Sequence, residues 1–197
     1  MAAVRTGHCQ TGRVRWTALF ADLEAQLAAA ADADLAGEVA DRQRIEVARL
    51  ELADRVRAAR DAEITVGLVT GESERGVVSG AGPDWVLLAD PGRPDALVPL
   101  TAVAWVRALP PYAHVEASVG AVESRLDFGY VLRGLARDRA VVRLALTDRR
   151  SVTGTVDRVG RDFLDLAEHA ADDARRAEAV DAIRTIPLRA VVAVRPA

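Results

Sequence analysis

Arginine is the residue type whose number and spacing in this chain point most directly to a binding chemistry. The chain has 26 basic residues besides histidine, and because no lysine occurs all of them are arginine. A planar guanidinium donates paired hydrogen bonds to phosphate or carboxylate groups, which the compact charge of lysine does not. From residue 133 to 161 eight arginines face three acids, whereas from residue 61 to 107 seven acids face three arginines. The candidate contacts to a nucleic acid or a protein partner are Arg149, Arg150, Arg158, Arg161 and Arg189.

The arginines also have interpretations that need no partner. A GC-rich genome supplies arginine and alanine at the expense of lysine. Exposed arginines around turns commonly form a solvated, partly ion-paired face. A net charge of −3 argues against a protein whose whole surface attracts nucleic acid. The sequence leaves these interpretations open.

Residues that commonly catalyse reactions or bind metals are few and scattered. The three histidines are His8 in the N-terminal arm, His114 in a linker and His169 in a charged insertion, and none has a catalytic partner nearby in sequence. Neither a Gly-x-Ser-x-Gly motif nor a phosphate-binding Gly-Lys-Thr motif occurs. We expect a non-enzymatic protein with no catalytic residues, no metal and no cofactor. An enzyme on an unfamiliar barrel is a more distant alternative.

An internal repeat organises the later part of the chain. The segment from residue 76 to 88 recurs 78 residues later, and the segment from 98 to 103 recurs 88 residues later. Apolar and polar residues alternate between glycine-containing turns, which is typical of short antiparallel strands, and recurrence of such a unit indicates two copies of one fold. Glycines are expected where strands bend, aspartates where turn amides need an acceptor, and aromatics in the cores. The residues predicted to form this structural repeat core are Gly76, Asp84, Trp85, Gly154, Asp162 and Phe163.

The repeat and the helical periodicity around it predict the domain boundaries. Apolar residues at Leu19, Phe20, Leu23 and Leu27 lie on one face of a helix. Two prolines after Leu109 end the first set of strands. The predicted segments are a disordered arm (1–15), a helical segment (16–60), a first barrel (61–109), a linker (110–126), and a helix plus second barrel (127–197) with a charged insertion (168–182).

A helix followed by five short, bent strands, with a Gly-x-Asp-aromatic motif and a closing Ile-Pro-Leu-Arg-Ala-Val, resembles the Sm-like small β-barrel fold of the Lsm and Hfq type, here in tandem. The resemblance implies an α+β protein: an N-terminal helical segment and two tandem five-stranded antiparallel barrels, each preceded by a helix. We further expect an approximate twofold relation between the barrels. The layout also resembles a group of actinobacterial proteins, some of them labelled Fis-type transcription regulators. Sm-like proteins bind single-stranded RNA. The positions that match theirs here are Asp162, Phe163, Asp165, Arg189 and Ala190, with Asp84 and Trp85 in the first copy.

Two of these positions differ from the Sm-like pattern. Asp165 stands near where those proteins carry a base-contacting asparagine, and Ala190 replaces a glycine. We therefore expect a cytoplasmic binding or regulatory protein that acts through protein partners or self-association. The alternative is a regulator that binds RNA or DNA through the basic second copy. Cys9 cannot form an internal disulfide, and no apolar run is long enough to cross a bilayer, so no membrane interaction is expected.

Overall fold

The computed structural model describes residues 16–110, 126–169 and 182–197. The chain divides into two compact units, Met1–Arg49 and Leu50–Ala197. The predicted arm, nearly all of the predicted linker and most of the predicted insertion lie outside the described residues, and so do His8, Cys9 and His114.

The described part of the first unit is one helix, α1 (Trp16–Arg49). Charged residues one turn apart pair along it, with Arg42 Nη2 lying 3.4 Å from Glu38 Oε2. Exposed pairs of this kind contribute only about 0.3–0.5 kcal/mol each, so they support the helix weakly. Across the described part of the chain, no helix combines the length and the apolar character needed to cross a membrane.

The second unit contains both copies of the repeat. Each copy is a helix followed by five strands, with a short 3₁₀ turn before the last strand. The first copy consists of α2 (Leu52–Ala58), β1 (Glu63–Leu68), β2 (Ser73–Ala81), β3 (Trp85–Asp90), β4 (Arg93–Pro99), the 3₁₀ turn Leu100–Ala102 and β5 (Val103–Arg107). The second copy consists of α3 (Phe128–Arg137), β6 (Val141–Leu146), β7 (Ser151–Val159), β8 (Phe163–Glu168), β9 (Ala182–Pro187), the 3₁₀ turn Leu188–Ala190 and β10 (Val191–Pro196).

The two copies pair their strands in the same register. Val78 lies opposite Leu88 in the first copy, and Val156 lies opposite Leu166 in the second. The register then shifts by one residue at equivalent positions, so both long strands carry a bulge at the same place. A bulge bends its strand and increases the local twist, so β2 and β7 bend at equivalent positions.

The prediction of two closed five-stranded barrels is wrong. The ten strands form one open antiparallel sheet in the order β5-β1-β2-β3-β4-β10-β6-β7-β8-β9. Within each copy the fourth and fifth strands lie at opposite ends of the local order and do not pair with each other. β4 pairs instead with β10 of the other copy, where Leu97 lies opposite Val194. We call the contact between β4 and β10 the seam, and it joins unlike strands of the two copies. A twofold axis would also pair β9 with β5, but these two strands lie at opposite ends of the sheet. The twofold relation that we expected is therefore absent.

The seam mixes the cores of the two copies. Trp85 and Leu97 of the first copy are buried in the cluster that contains Phe128, Leu132 and Val194 of the second. In the opposite direction, residues 192 and 193 of β10 are buried in the cluster of the first copy. Each copy thus completes the apolar core of the other.

Two equivalent glycines allow the strands to approach closely. A methyl group added at Gly154 would lie 2.1 Å from the carbonyl oxygen of Ala167, and one added at Gly76 would lie 2.8 Å from that of Ala89. Both values are below normal contact distances, and the clashing atoms are backbone atoms that cannot rotate away. These positions therefore require glycine for steric reasons.

Replacing Gly154 with alanine is expected to lower the free energy of unfolding by about 1–3 kcal/mol, because the added methyl displaces a strand. The matched control is Gly134→Ala in α3, where an added methyl meets nothing within 4 Å. That change should stabilise the protein by about 0.5–1 kcal/mol through helix propensity. Urea unfolding of both variants measures the two effects, and a Gly154→Ala protein as stable as wild type would contradict the steric role.

Candidate functional site

Three turns of the second copy are joined by backbone hydrogen bonds. The Thr147 N–H donates to the carbonyl oxygen of Ala190 at 2.9 Å, and the Leu188 N–H donates to that of Asp162 at 2.8 Å. Residues 188 and 190 belong to the same 3₁₀ turn, so this turn joins the turn before β7 to the turn after it. We refer to residues 147–150, 160–162 and 188–190 together as the turn cluster.

Four of the five candidate arginines lie in the turn cluster, and all four are exposed: Arg149, Arg150, Arg161 and Arg189. Arg150 Nε lies 3.7 Å from Asp148 Oδ2, and both side chains are more than half exposed, so the pair is weak. Within the described ranges, no ion pair involves the other three. The turn cluster therefore presents guanidinium groups whose hydrogen-bond donors are available to a ligand.

The first copy shows that the fold does not require these arginines. Its equivalent turns form the same backbone hydrogen bonds, from the Val69 N–H to Ala102 and from the Leu100 N–H to Asp84, at 2.9 and 2.8 Å. The counterparts of Arg149, Arg150, Arg161 and Arg189 in the first copy are Gly71, Glu72, Pro83 and Thr101, in that order. The same backbone hydrogen bonds form without arginine, so the arginines are not needed to hold the turns together.

Arg149 adopts a backbone conformation that disfavours it. Its φ is +66°, in the left-handed region, and the equivalent residue of the first copy is Gly71 with φ +91°. A residue with a Cβ atom loses about 1–2 kcal/mol in that region relative to its normal conformation. Strain that is retained at an exposed turn suggests selection for the side chain itself.

Arg158 is separate from the turn cluster and is already paired. Its Nε lies 2.5 Å from Asp165 Oδ2, and Thr185 Oγ1 donates to Asp165 Oδ1 at 2.6 Å. The two hydrogen bonds, first that from Thr185 and then that from Arg158, hold the pKa of the Asp165 carboxyl below its usual range. The side chain of Asp165 is only 4% exposed. We call these three residues the edge network, because they cross β7, β8 and β9 at one end of the sheet.

The two repeat aromatics cover equivalent glycines but differ in exposure. A methyl group on Gly82 would lie 2.1 Å from Trp85 Nε1, and one on Gly160 would lie 2.3 Å from Phe163 Cε1. Trp85 is buried, and its Nε1 donates to the carbonyl oxygen of Leu126 at 2.7 Å. Phe163 is only half-buried. Phe163 is therefore partly open to solvent, directly after the turn that carries Arg161.

The repeat aspartates have different contacts. Asp84 Oδ1 accepts a hydrogen bond from the Phe128 N–H at 2.8 Å, which ties a turn of the first copy to the first residue of α3. Burial raises the pKa of Asp84 above its usual range, and the hydrogen bond from Phe128 partly offsets this effect. Asp162 is exposed, and no side-chain contact of this kind is seen for it among the described residues. It contributes through its backbone carbonyl oxygen, which accepts the hydrogen bond from the Leu188 N–H of the 3₁₀ turn.

One buried polar pair could not be recognised from the sequence. His169, which we expected in the solvated insertion, is 4% exposed, and its Nε2 lies 2.8 Å from Thr155 Oγ1. Thr155 is also buried, in β7, where three consecutive residues are buried instead of alternating with exposed ones. The sequence pattern therefore does not indicate that Thr155 faces the core. Among the described residues, no group of three or more His, Cys, Asp or Glu side chains is arranged to hold a metal ion.

Comparison with known proteins gives no assignment. A scan against protein-family models, a search of curated proteins and a search of solved structures each found no match. A proposal for the function therefore depends on the residues of the turn cluster and their surroundings.

Changing Arg149 to glycine is expected to stabilise the protein by about 0.5–1 kcal/mol, because it relieves the left-handed strain at the cost of some chain entropy. The control is Arg150→Gly, whose backbone has no positive φ and which should gain nothing. Chemical denaturation of both proteins provides the measurement. If Arg149→Gly raised the free energy of unfolding no more than Arg150→Gly does, Arg149 would not be strained.

Changing Asp84 to asparagine keeps an acceptor for the Phe128 N–H and removes the buried charge. Because the folded-state pKa of Asp84 lies above 3.8, wild type gains stability as the pH falls from neutral toward that value. The variant lacks this gain. Its melting temperature should equal or exceed that of wild type at pH 7, and the difference should shrink toward pH 4. A variant that melts lower at pH 7 would contradict this account, and Asp84→Ala, which lacks the acceptor, is the destabilised reference.

Proposed function

We propose that this protein is a non-enzymatic, nucleic-acid-binding protein and that the turn cluster is its binding surface. The observation that carries the proposal is the difference between the copies at equivalent turns. Four exposed arginines occupy positions at which the first copy has none, although the backbone hydrogen bonds are the same. One of the four, Arg149, retains a strained backbone conformation.

Phosphate is the chemical group that best suits these side chains. Each guanidinium can donate two parallel hydrogen bonds to phosphate oxygens, and the available arginines belong to three joined turns rather than to one. Neutralising phosphates releases bound counterions, so the affinity must decrease with added salt. With three or four contacts to a single strand, the logarithm of the binding constant should fall by about 2–3 per tenfold increase in salt.

Single-stranded nucleic acid is the proposed form of the ligand. The half-buried ring of Phe163 lies beside the turn of Arg161, and unpaired bases stack on aromatic rings of this kind. Duplex bases are already stacked on one another and do not offer this contact. The acidic first copy repels phosphates and would restrict binding to the second copy. We place this function in the cytoplasm, where a chain with one cysteine needs no disulfide.

A protein partner is a second candidate, and α1 favours it. Trp16, Phe20, Leu23 and Leu27 follow a helical spacing, and they are 63%, 57%, 44% and 72% exposed. An exposed apolar stripe on a helix is typical of a surface that packs against another protein. This surface does not involve the turn cluster, so the two functions can be tested separately.

The test is fluorescence anisotropy with a labelled single-stranded RNA of mixed sequence across a salt series, repeated with single-stranded and duplex DNA. The cluster variant combines Arg149→Gly, Arg161→Gln and Arg189→Gln. We expect it to lose at least about tenfold in affinity at low salt and to reduce the salt slope by about 2, because three phosphate contacts are removed.

The matched control combines Arg42→Gln, Arg44→Gln and Arg49→Gln on α1, which removes the same charge from exposed, ion-paired positions. It should keep nearly all of the affinity. Equal losses in the two variants would mean that only net charge matters, and absence of salt-sensitive binding by wild type would refute the proposal. Tighter binding of duplex than of single strands would exclude the stacking role of Phe163.

A further inference from the structure

The seam between the copies shows which side chains allow one copy to add to another. On the first copy this surface is apolar: Trp85 and Leu97 are buried in the cluster of the second copy, and Leu87 packs against it. Gly80 lies opposite Leu87 in the paired strands. We call these four residues the seam surface. β10 of the second copy pairs with β4 at this surface, where Val194 lies opposite Leu97.

The second copy has an equivalent surface, and it is polar. In the order Gly80, Trp85, Leu87 and Leu97, the counterparts are Arg158, Phe163, Asp165 and Thr185. Three of the four counterparts are the edge network, in which the carboxylate of Asp165 accepts from both neighbours. An apolar docking surface has therefore become an ion pair with an additional hydrogen bond.

Among the described residues, no strand pairs with the outer edge of either end strand, and these two edges could meet. β9 is an end strand with exposed residues from Ala182 to Thr185, and β5 is the other end strand. β5 corresponds to β10, and it keeps apolar residues at Val103, Trp105 and Val106. β5 of a second molecule could pair with β9 in the way that β10 pairs with β4. Such a contact joins unlike surfaces, so further molecules could add in the same way without forming a closed oligomer.

We infer that the edge network prevents this head-to-tail addition of a second copy of the chain and thereby ends the sheet at ten strands. An incoming β5 would place apolar side chains against Arg158, whose partner Asp165 is already buried. The guanidinium of Arg158, now 79% exposed, would lose its water without gaining a partner. Burying a charge in this way costs more than apolar contact returns. The inference concerns the edge formed by β7 to β9 and the incoming β5, and it is independent of the turn cluster.

The experiment gives the second copy the residues of the first. The seam variant combines Arg158→Gly, Asp165→Leu and Thr185→Leu, and its mass is followed by sedimentation velocity over a range of concentrations beside wild type. We expect the seam variant to form larger species as concentration rises, in addition to any association that wild type shows. A seam variant that is folded and has the same mass distribution as wild type would overturn the inference.

A second change identifies the surface that the variant uses. Ala104→Arg places a charge on β5 at an exposed position whose counterpart, Val192, is buried at the seam. Added to the seam variant, it should abolish the new association, and in wild type it should change nothing. Association that persists would mean non-specific contact through the new leucines, and dissociation of a wild-type oligomer by Ala104→Arg would mean that the edge network does not block addition. Both results count against the inference.

A milder pair of changes applies if the seam variant fails to fold by its thermal melting curve. Arg158→Gln with Asp165→Asn removes both charges and keeps a hydrogen-bond acceptor for Thr185. It should give the same kind of association more weakly, again sensitive to Ala104→Arg. A mass distribution identical to that of wild type would reject the role of the charges.

Discussion

Backbone pairing between β4 and β10 is the interaction on which the rest of the second unit depends. Within each copy the fourth strand pairs with the third and the fifth with the first, so the other edge of each of these two strands has no partner inside the copy. Unpaired groups of this kind are costly when buried, so a strand from elsewhere must supply the partners. Joining β4 to β10 satisfies one such edge on each copy, buries Trp85 and Leu97, and produces one continuous sheet.

The sequence predicted the elements well and their assembly poorly. The offsets of 78 and 88 residues correspond to equivalent strand pairs over most of each sheet, because turn glycines and alternating apolar residues are local signals. Closure is not a local property. Whether a fifth strand returns to its own fourth strand or pairs with another copy depends on bends and on contacts between distant residues, and a one-dimensional pattern contains neither.

The candidate site was predictable to a similar extent. Charge counting identified the basic copy, but it grouped Arg158 with the turn arginines because these residues are close in sequence. Arg158 faces Asp165 only because of the bulge in β7, which shifts the register by one residue. The backbone strain at Arg149 could not be predicted either, because the residue type does not determine φ. Alignment of the two copies does place Arg149 against Gly71, which also has a positive φ.

The exchange of apolar side chains across the seam has a consequence for cooperativity. Residues of β10 complete the core of the first copy, and Trp85 and Leu97 complete that of the second. A local opening of either copy therefore exposes apolar surface in both, and the free-energy cost of partial unfolding approaches that of global unfolding. Duplicated units of this kind lose their independence as folding units. Neither can be deleted or transplanted without loss of the other, whereas their exposed turns remain free to diverge.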